Sequence, residues 1–328
     1  MKGRIVSVVA LIGVAMLAAG QHGRPGRGRF EGIPPLLLRA IRAQPSLRYK
    51  GAYTTEFRQG PASIRHQEYI TREGDRYRID FPNDSQFAGQ VIIENSRERL
   101  HYHPITNEIV QQPPRHGEVW ERIANLANNR KFVLTTVPGE LIAGMRTEEL
   151  VVSDRAGNLV QRLYIEPISG LIMKRQLFDF VGTQIGYFEF TEVALNPKIE
   201  PDTFVIKRRD ARVITPRIQL ERLCRRRGFH VVFLPPSSGY KLEGASPRNF
   251  AGTDGLVQSY LNGNERLWVY DLKGPINANR LRQNAGRDLH VHSFELNGET
   301  IVLMAKIDEQ TLARFATLME SGTPARQR

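Results

Sequence analysis

The chain has 328 residues and a formal net charge of +12, from 46 Lys plus Arg against 34 Asp plus Glu; 41% of it is apolar. That length suits two domains of ordinary size, and that composition excludes a chain disordered throughout. One cysteine, Cys224, excludes an intrachain disulfide, and the charge points to anionic partners without choosing among them.

The N-terminus predicts export. Lys2 and Arg4 precede an apolar run from Ile5 to Leu17, and Ala18-Ala19-Gly20 supplies small residues for cleavage, so residues 1–20 read as a signal peptide. The run is too short to cross a hydrocarbon core of about 30 Å comfortably. Leu17-Ala18-Ala19-Gly20-Gln21 resembles a lipobox without the cysteine that would be acylated, which predicts a soluble periplasmic or otherwise extracytoplasmic protein. Residues 21–32, rich in Gly and Arg, read as a flexible basic arm.

Leu36 to Ala43 then has helical spacing at Leu37, Leu38 and Ile41. From Leu47 the period changes to two, with Tyr49, Gly51, Tyr53, Thr55 and Phe57 on one strand face. Strands follow at residues 64–72, 76–81, 90–94, 99–103 and 108–111, several joined by tight turns such as Glu73-Gly74-Asp75. Short links of this kind predict an antiparallel meander. A helix is expected at 118–128 and a strand at 132–136, then a second meander at 146–153, 159–166, 171–179 and 184–194. The basic stretch 207–217 reads as a linker, dividing a β domain (33–206) from a smaller α+β domain (218–322) and a tail (323–328). In the smaller domain a helix at 218–227 is closed by Gly228. It is followed by a strand at 229–234, hairpins across Asn262-Gly263 and Asn297-Gly298, and an amphipathic helix at 309–320.

The second meander contains Leu163-Tyr164-Ile165-Glu166-Pro167-Ile168-Ser169-Gly170-Leu171-Ile172-Met173-Lys174, an acid-Pro-x-x-Gly turn between apolar strands, followed by Phe188-Glu189-Phe190-Thr191-Glu192. This resembles the last strands of LolA-like domains, including those of the MucB/RseB family of periplasmic sigma-factor regulators. Pro236-Ser237-Ser238-Gly239-Tyr240 and Tyr260-Leu261-Asn262-Gly263, leading into Leu267-Trp268-Val269-Tyr270, resemble that family's second domain. The resemblance covers most of the chain after residue 33 as pattern and domain order. It implies an α+β protein: a curved antiparallel half-barrel sheet wrapped on helices, then the smaller domain. It also implies binding of an anti-sigma factor's periplasmic segment and of lipid or acylated protein. A lipoprotein or lipid carrier of the LolA type is the alternative.

From the residues themselves, a half-closed sheet has a concave face to cover. Tyr53, Phe57, Tyr77, Phe81, Tyr102, Tyr164, Phe178 and Phe188 are the candidates to line a ligand concavity, against the plainer reading that each is core. Lys207, Arg208, Arg209, Arg225, Arg226 and Arg227 are candidates to meet an acidic partner, with peripheral contact to an anionic membrane also open. Nucleic acid is not expected for an exported chain. His101-Tyr102-His103 and His290-Val291-His292 read as solvent-exposed strand histidines, and no metal or cofactor is expected. No hydrolase, Walker or dinucleotide motif occurs, so no enzyme is expected.

Overall fold

The computed structural model describes residues 33–59, 62–114, 131–250, 253–263, 265–274 and 289–322. The expected signal peptide, basic arm, helix at 118–128 and tail lie outside the described residues. The chain divides into two units: Met1–Pro104 with Pro114–Arg208, and Ile105–Pro113 with Arg209–Arg328.

The first unit begins with helix α1 (Pro35–Ala43). Pro35 occupies the first turn, where a missing N–H costs nothing, and Leu36, Leu37 and Ala40 form its buried stripe. Strands β1 (Arg48–Gln59), β2 (Ala62–Glu73), β3 (Arg76–Asp80), β4 (Val91–Glu94) and β5 (Arg99–His103) follow. Next in the chain is β6 (Glu108–Gln112), which belongs to the second unit. The first unit resumes with β7 (Phe132–Ile142), β8 (Met145–Asp154), β9 (Leu159–Ile165), β10 (Ile172–Phe178) and β11 (Gln184–Leu195). Within this unit the strands lie in the order β5-β4-β3-β2-β1-β11-β10-β9-β8-β7 as a curved, unclosed antiparallel sheet. It joins first and last in sequence at its middle, β1 against β11. A register shift at Ala52/Tyr53 bends that seam, and Gly51 makes the close approach possible: a Cβ there would stand 2.5 Å from the Glu192 carbonyl oxygen.

Residues directly opposite one another in antiparallel strands share a face. The ladder Leu150–Leu163 in β8 and β9, continued by Ile165–Ile172, marks the face on which α1 sits. Ile33, Leu36, Leu37 and Ala40 pack there against Leu150, Leu163, Ile165 and Ile172 in one cluster. The β9–β10 turn is the socket for the end of α1. Gly170 adopts φ +73°, and a Cβ on it would press to 3.0–3.1 Å against Ala43 and the Arg39–Ala40 backbone. Arg39 in turn donates to the Pro167 carbonyl.

In the second unit β6 runs parallel to the short strand β12 (Arg212–Ile214), with Glu108 opposite Arg212. The stretch read as a turnless linker therefore contains a strand, too short to show an alternation. Helix α2 (Pro216–Arg227) follows, with the Thr215 hydroxyl accepting from the Ile218 N–H and Gly228 ending it at φ 70°. The expected strand at 229–234 is an irregular connector. Its backbone finds side-chain partners in place of a neighbouring strand: the His230 N–H donates to Glu299 and the Leu234 N–H to the Tyr260 hydroxyl.

Strands β13 (Lys241–Phe250), β14 (Thr253–Asn262), β15 (Glu265–Leu272), β16 (His290–Leu296) and β17 (Glu299–Ala305) form a sheet in the order β13-β14-β15-β17-β16. β13 was not anticipated. It contains Gly244 and Pro247, which weaken a strand signal and are tolerated because β13 is an edge. Helix α3 (Glu309–Gly322) buries Leu312, Phe315, Ala316 and Met319 against Leu267, Val269, Ile301 and Leu303 of this sheet.

Candidate functional site

The face of the first unit's sheet that carries α1 over β8–β10 changes character across β1–β5. In register with Tyr53 and Tyr49 of β1 lie Glu68 and Arg72 of β2; Arg72 faces Tyr77 of β3, Tyr77 faces Glu94 of β4, and Glu94 faces Arg99 of β5. Each of these tyrosines meets a charged group. The Tyr53 hydroxyl donates to Glu68 at 2.5 Å, and the other Glu68 oxygen lies 2.7 Å from His66 Nε2. Tyr77 donates to Glu94 at 2.5 Å, and Arg99 donates to both Tyr77 and Glu94, at 2.9 and 3.0 Å. Arg72 donates to the side chain and carbonyl of Gln44.

Glu68 and Glu94 are fully buried, so their partners set their cost: an unpaired charge at such depth is worth several kcal/mol of destabilisation, on the order of 3–5. Burial pushes the Tyr53 hydroxyl well above its usual range, and the adjacent Glu68 pushes it the same way, so it stays a donor. Burial pulls the Arg99 guanidinium down, but Tyr77 and Glu94 more than offset this and hold it above its ordinary value.

Of the candidate ligand residues, Tyr53, Phe57, Tyr77, Phe81 and Phe188 share this face. Tyr53 packs on Phe188 at 5.8 Å with the rings tilted and on Phe190 at 5.4 Å edge to face. Phe57 and Phe81 flank His66, with Phe87 closing the group at 4.8 Å from the imidazole. Phe178 stands at the end of β10 opposite Gln184, after a register shift. Tyr102 and Tyr164 are on the other face. Tyr102 pairs with Val91, out of phase with Glu94, and Tyr164 pairs with Lys174, whose ammonium lies 5.2 Å from its ring; Tyr164 nevertheless belongs to one apolar cluster with Tyr49 and Phe190, against which Tyr53 and Phe188 pack. The eight candidates thus do not form one lining.

Sequence reasoning missed Glu68, Arg72, Glu94 and Arg99. A charged residue on a strand reads as solvent-facing unless its cross-strand neighbour is known, and only register reveals the tyrosine beside it. The histidine reading needs correction too. His101 is buried and held at 2.7 Å by Gln90, with the His103 ring 4.0 Å away. Its place on the same face as Glu94 takes it out of solvent. Among the described residues no group of three or more His, Cys, Asp or Glu could hold a metal ion.

On the opposite face of β3–β5 an open pocket of about 430 Å³ lies under residues 202–208. Arg78 builds it: bidentate to Asp80 at 2.7 Å, it also donates to the Thr203 and Val205 carbonyls and pins that segment over the sheet. Val91, Val205 and Ile206 give apolar walls, and Tyr102, Lys207 and Arg208 complete the lining. The Arg208 guanidinium stands 5.5 Å from the Tyr102 ring centre, and Lys207 pairs with Asp202 at the rim. One candidate of the aromatic set and two of the cationic set therefore meet here. In the second unit, Arg225 and Arg226 are exposed at the end of α2 and Arg227 binds Asp254 at 2.7 Å. Arg209 is exposed at the start of that unit.

No family model matches the chain, and no curated protein matches it in sequence. Among solved structures it is similar to the complex of MucA and MucB from Pseudomonas aeruginosa, at 17% identity and a TM-score of 0.44, over 86% of this chain and 95% of that one. It is also similar to a crystal structure of MucB alone, at 16% identity and a TM-score of 0.42, over 86% and 95%. A LolA superfamily protein from Nitrosomonas europaea matches at 11% identity and a TM-score of 0.28, over 52% of this chain and 96% of that one.

Proposed function

We propose that this chain is a non-enzymatic extracytoplasmic regulator that grips the extracytoplasmic segment of an anti-sigma factor and responds to a lipidic or acylated ligand. The observation that carries the first half is the pocket under residues 202–208. Its apolar walls and its cations, Arg208 beside Tyr102 and Lys207 paired with Asp202 at the rim, suit an acidic segment that also brings apolar side chains and competes with Asp202. The sequence resemblance to the MucB/RseB family supports the choice of partner, and the net charge of +12 favours an anionic one. For the second half, the half-buried aromatics Tyr53, Phe57 and Phe188 on the inner face offer apolar area to an acyl chain, at roughly 0.8 kcal/mol per buried CH₂. A ligand transmits a signal only by preferring one arrangement of the protein over another.

The test is capture from envelope extracts by the full chain and by the double reversal Lys207→Glu/Arg208→Glu, with native mass spectrometry of the eluates. The expected result is an acidic, membrane-anchored protein retained by the wild type and lost at least tenfold by the reversal. Acylated cargo with no such protein would replace this reading with the carrier.

A further inference from the structure

The second unit contains a buried acid pair that the proposed function does not use. Asp271 of β15 is fully buried, and Glu299 of β17 nearly so. Asp271 lies on the core side of the sheet, in phase with Leu267 and Val269 and opposite Leu256 of β14. Neither of its oxygens meets a backbone or side-chain donor among the described residues. A carboxylate without donors at zero exposure is a costly object. Ile301 of β17 stands opposite Asp271, and Glu299, two residues away on the same face of that strand, brings another carboxyl, which already accepts the His230 N–H at 3.2 Å on both oxygens and lies 3.3 Å from His230 Nδ1. The arrangement is satisfied when Asp271 is a carboxylic acid and donates its proton to Glu299.

We propose that this shared proton is a latch: it holds the connector 229–234 and helix α2 against the sheet, and its loss releases them. The structure links the parts directly. Glu299 grips the connector at His230, and Cys224 of α2 packs with Phe229 and with Leu256, the cross-strand partner of Asp271. The groups facing the pair are few. Besides His230, Lys273, just past the end of β15, donates to the Arg227 carbonyl and lies 4.7 Å from the Phe229 ring. Helix α2 gives Cys224 and Glu221, and β14 presents the uncharged Gln258 and Tyr260. Lys273 opposes the charge on Asp271, and the His230 N–H supports that on Glu299.

Burial pushes the Asp271 carboxyl up to about 8, with the Glu299 charge and a hydrogen bond to Glu299 acting in the same direction. Folded, it keeps a proton that the opened chain releases from the usual Asp range upward. The latch is therefore tightest near pH 4, weakens as pH rises, and changes no further above about 8.

Cys224 reports the opening because it is the chain's single cysteine and fully buried. The full chain is alkylated with iodoacetamide from pH 5.5 to 9, and each rate is divided by that of glutathione at the same pH. Protection should fall about tenfold per pH unit between pH 6 and 7 and level off near 8. Asp271→Asn, which is neutral at every pH, should abolish the slope. Should that variant fail to fold, Glu299→Gln should shrink the slope by removing the partner charge. A flat wild-type profile, or a variant that keeps the wild-type slope, overturns the latch. No partner enters the measurement, so its outcome is separate from that of the capture experiment.

Discussion

Across β8–β10 the inner face of the first unit packs Leu150, Leu163, Ile165 and Ile172 under α1, beside the bonded pair Gln161 and Arg175, whereas across β1–β5 the same face carries glutamates and arginines that meet tyrosines. The two regions obey different rules. In the aliphatic region the contacts are non-directional, and stability scales with apolar area removed from water. In the tyrosine region little is gained from each hydrogen bond but much is lost by breaking one, since the orphaned partner stays buried.

The largest effect is expected for Glu94→Ala. It removes the buried carboxylate to which both Arg99 and the Tyr77 hydroxyl donate, and should cost about 3–5 kcal/mol in urea unfolding. The triple change Tyr77→Phe/Glu94→Met/Arg99→Met removes these three polar side chains together and should recover most of that loss. If the triple variant is no more stable than Glu94→Ala, the region is not a closed polar network. On the aliphatic side, Leu163→Ala should cost about 2–5 kcal/mol, set by how far α1 can settle into the space. No second substitution of opposite polarity should rescue it.

A smaller effect is expected for Tyr53→Phe, about 1.5–3 kcal/mol, because Glu68 keeps its contact with His66. Its diagnostic is alkaline. The folded Tyr53 hydroxyl sits well above the usual value of 10.0, so it stays protonated where the unfolded chain's tyrosine ionises. Stability due to this group is present below pH 10 and is lost as pH rises beyond it. Tyr49, Tyr240, Tyr260 and Tyr270 are raised too, so absorbance titration of the folded variant should show one late-titrating tyrosine fewer than the wild type.

These two regions were unequally legible. The meander, the Gly-containing turns and the Leu/Ile strands of the aliphatic region follow from period and turn chemistry alone. Asn297-Gly298 turned where expected, with φ 54° and 80°. The tyrosine region's aromatics stood out singly, but their grouping did not. A one-residue phase difference sends Tyr102 to the opposite face from Tyr77, and neither phase nor pairing can be read from one strand. The irregular connector at 229–234 was misread for a related reason. Phe229, Val232 and Leu234 are as buried as in a strand, but the backbone partners come from side chains distant in sequence.

The least costly change tests where the aliphatic region ends. Glu166 closes the turn that seats α1: its carboxylate accepts from the Ile168 N–H at 3.0 Å and the Ser169 N–H at 2.5 Å. Burial pushes this carboxyl up, but the Ser169 side-chain and backbone bonds and the Ile168 N–H outweigh it and hold it below its ordinary value. Its stabilisation is thus present above the usual Glu range and lost as pH falls through the lowered value. Glu166→Ala should cost about 1 kcal/mol at neutral pH, with the difference from wild type vanishing in acid. Glu166→Gln, which retains one accepting oxygen, should cost less and show no such pH dependence. A loss as large as that of Leu163→Ala would mean that the turn and α1 unfold together, so the seal over the aliphatic region would depend on a polar contact as much as on its leucines.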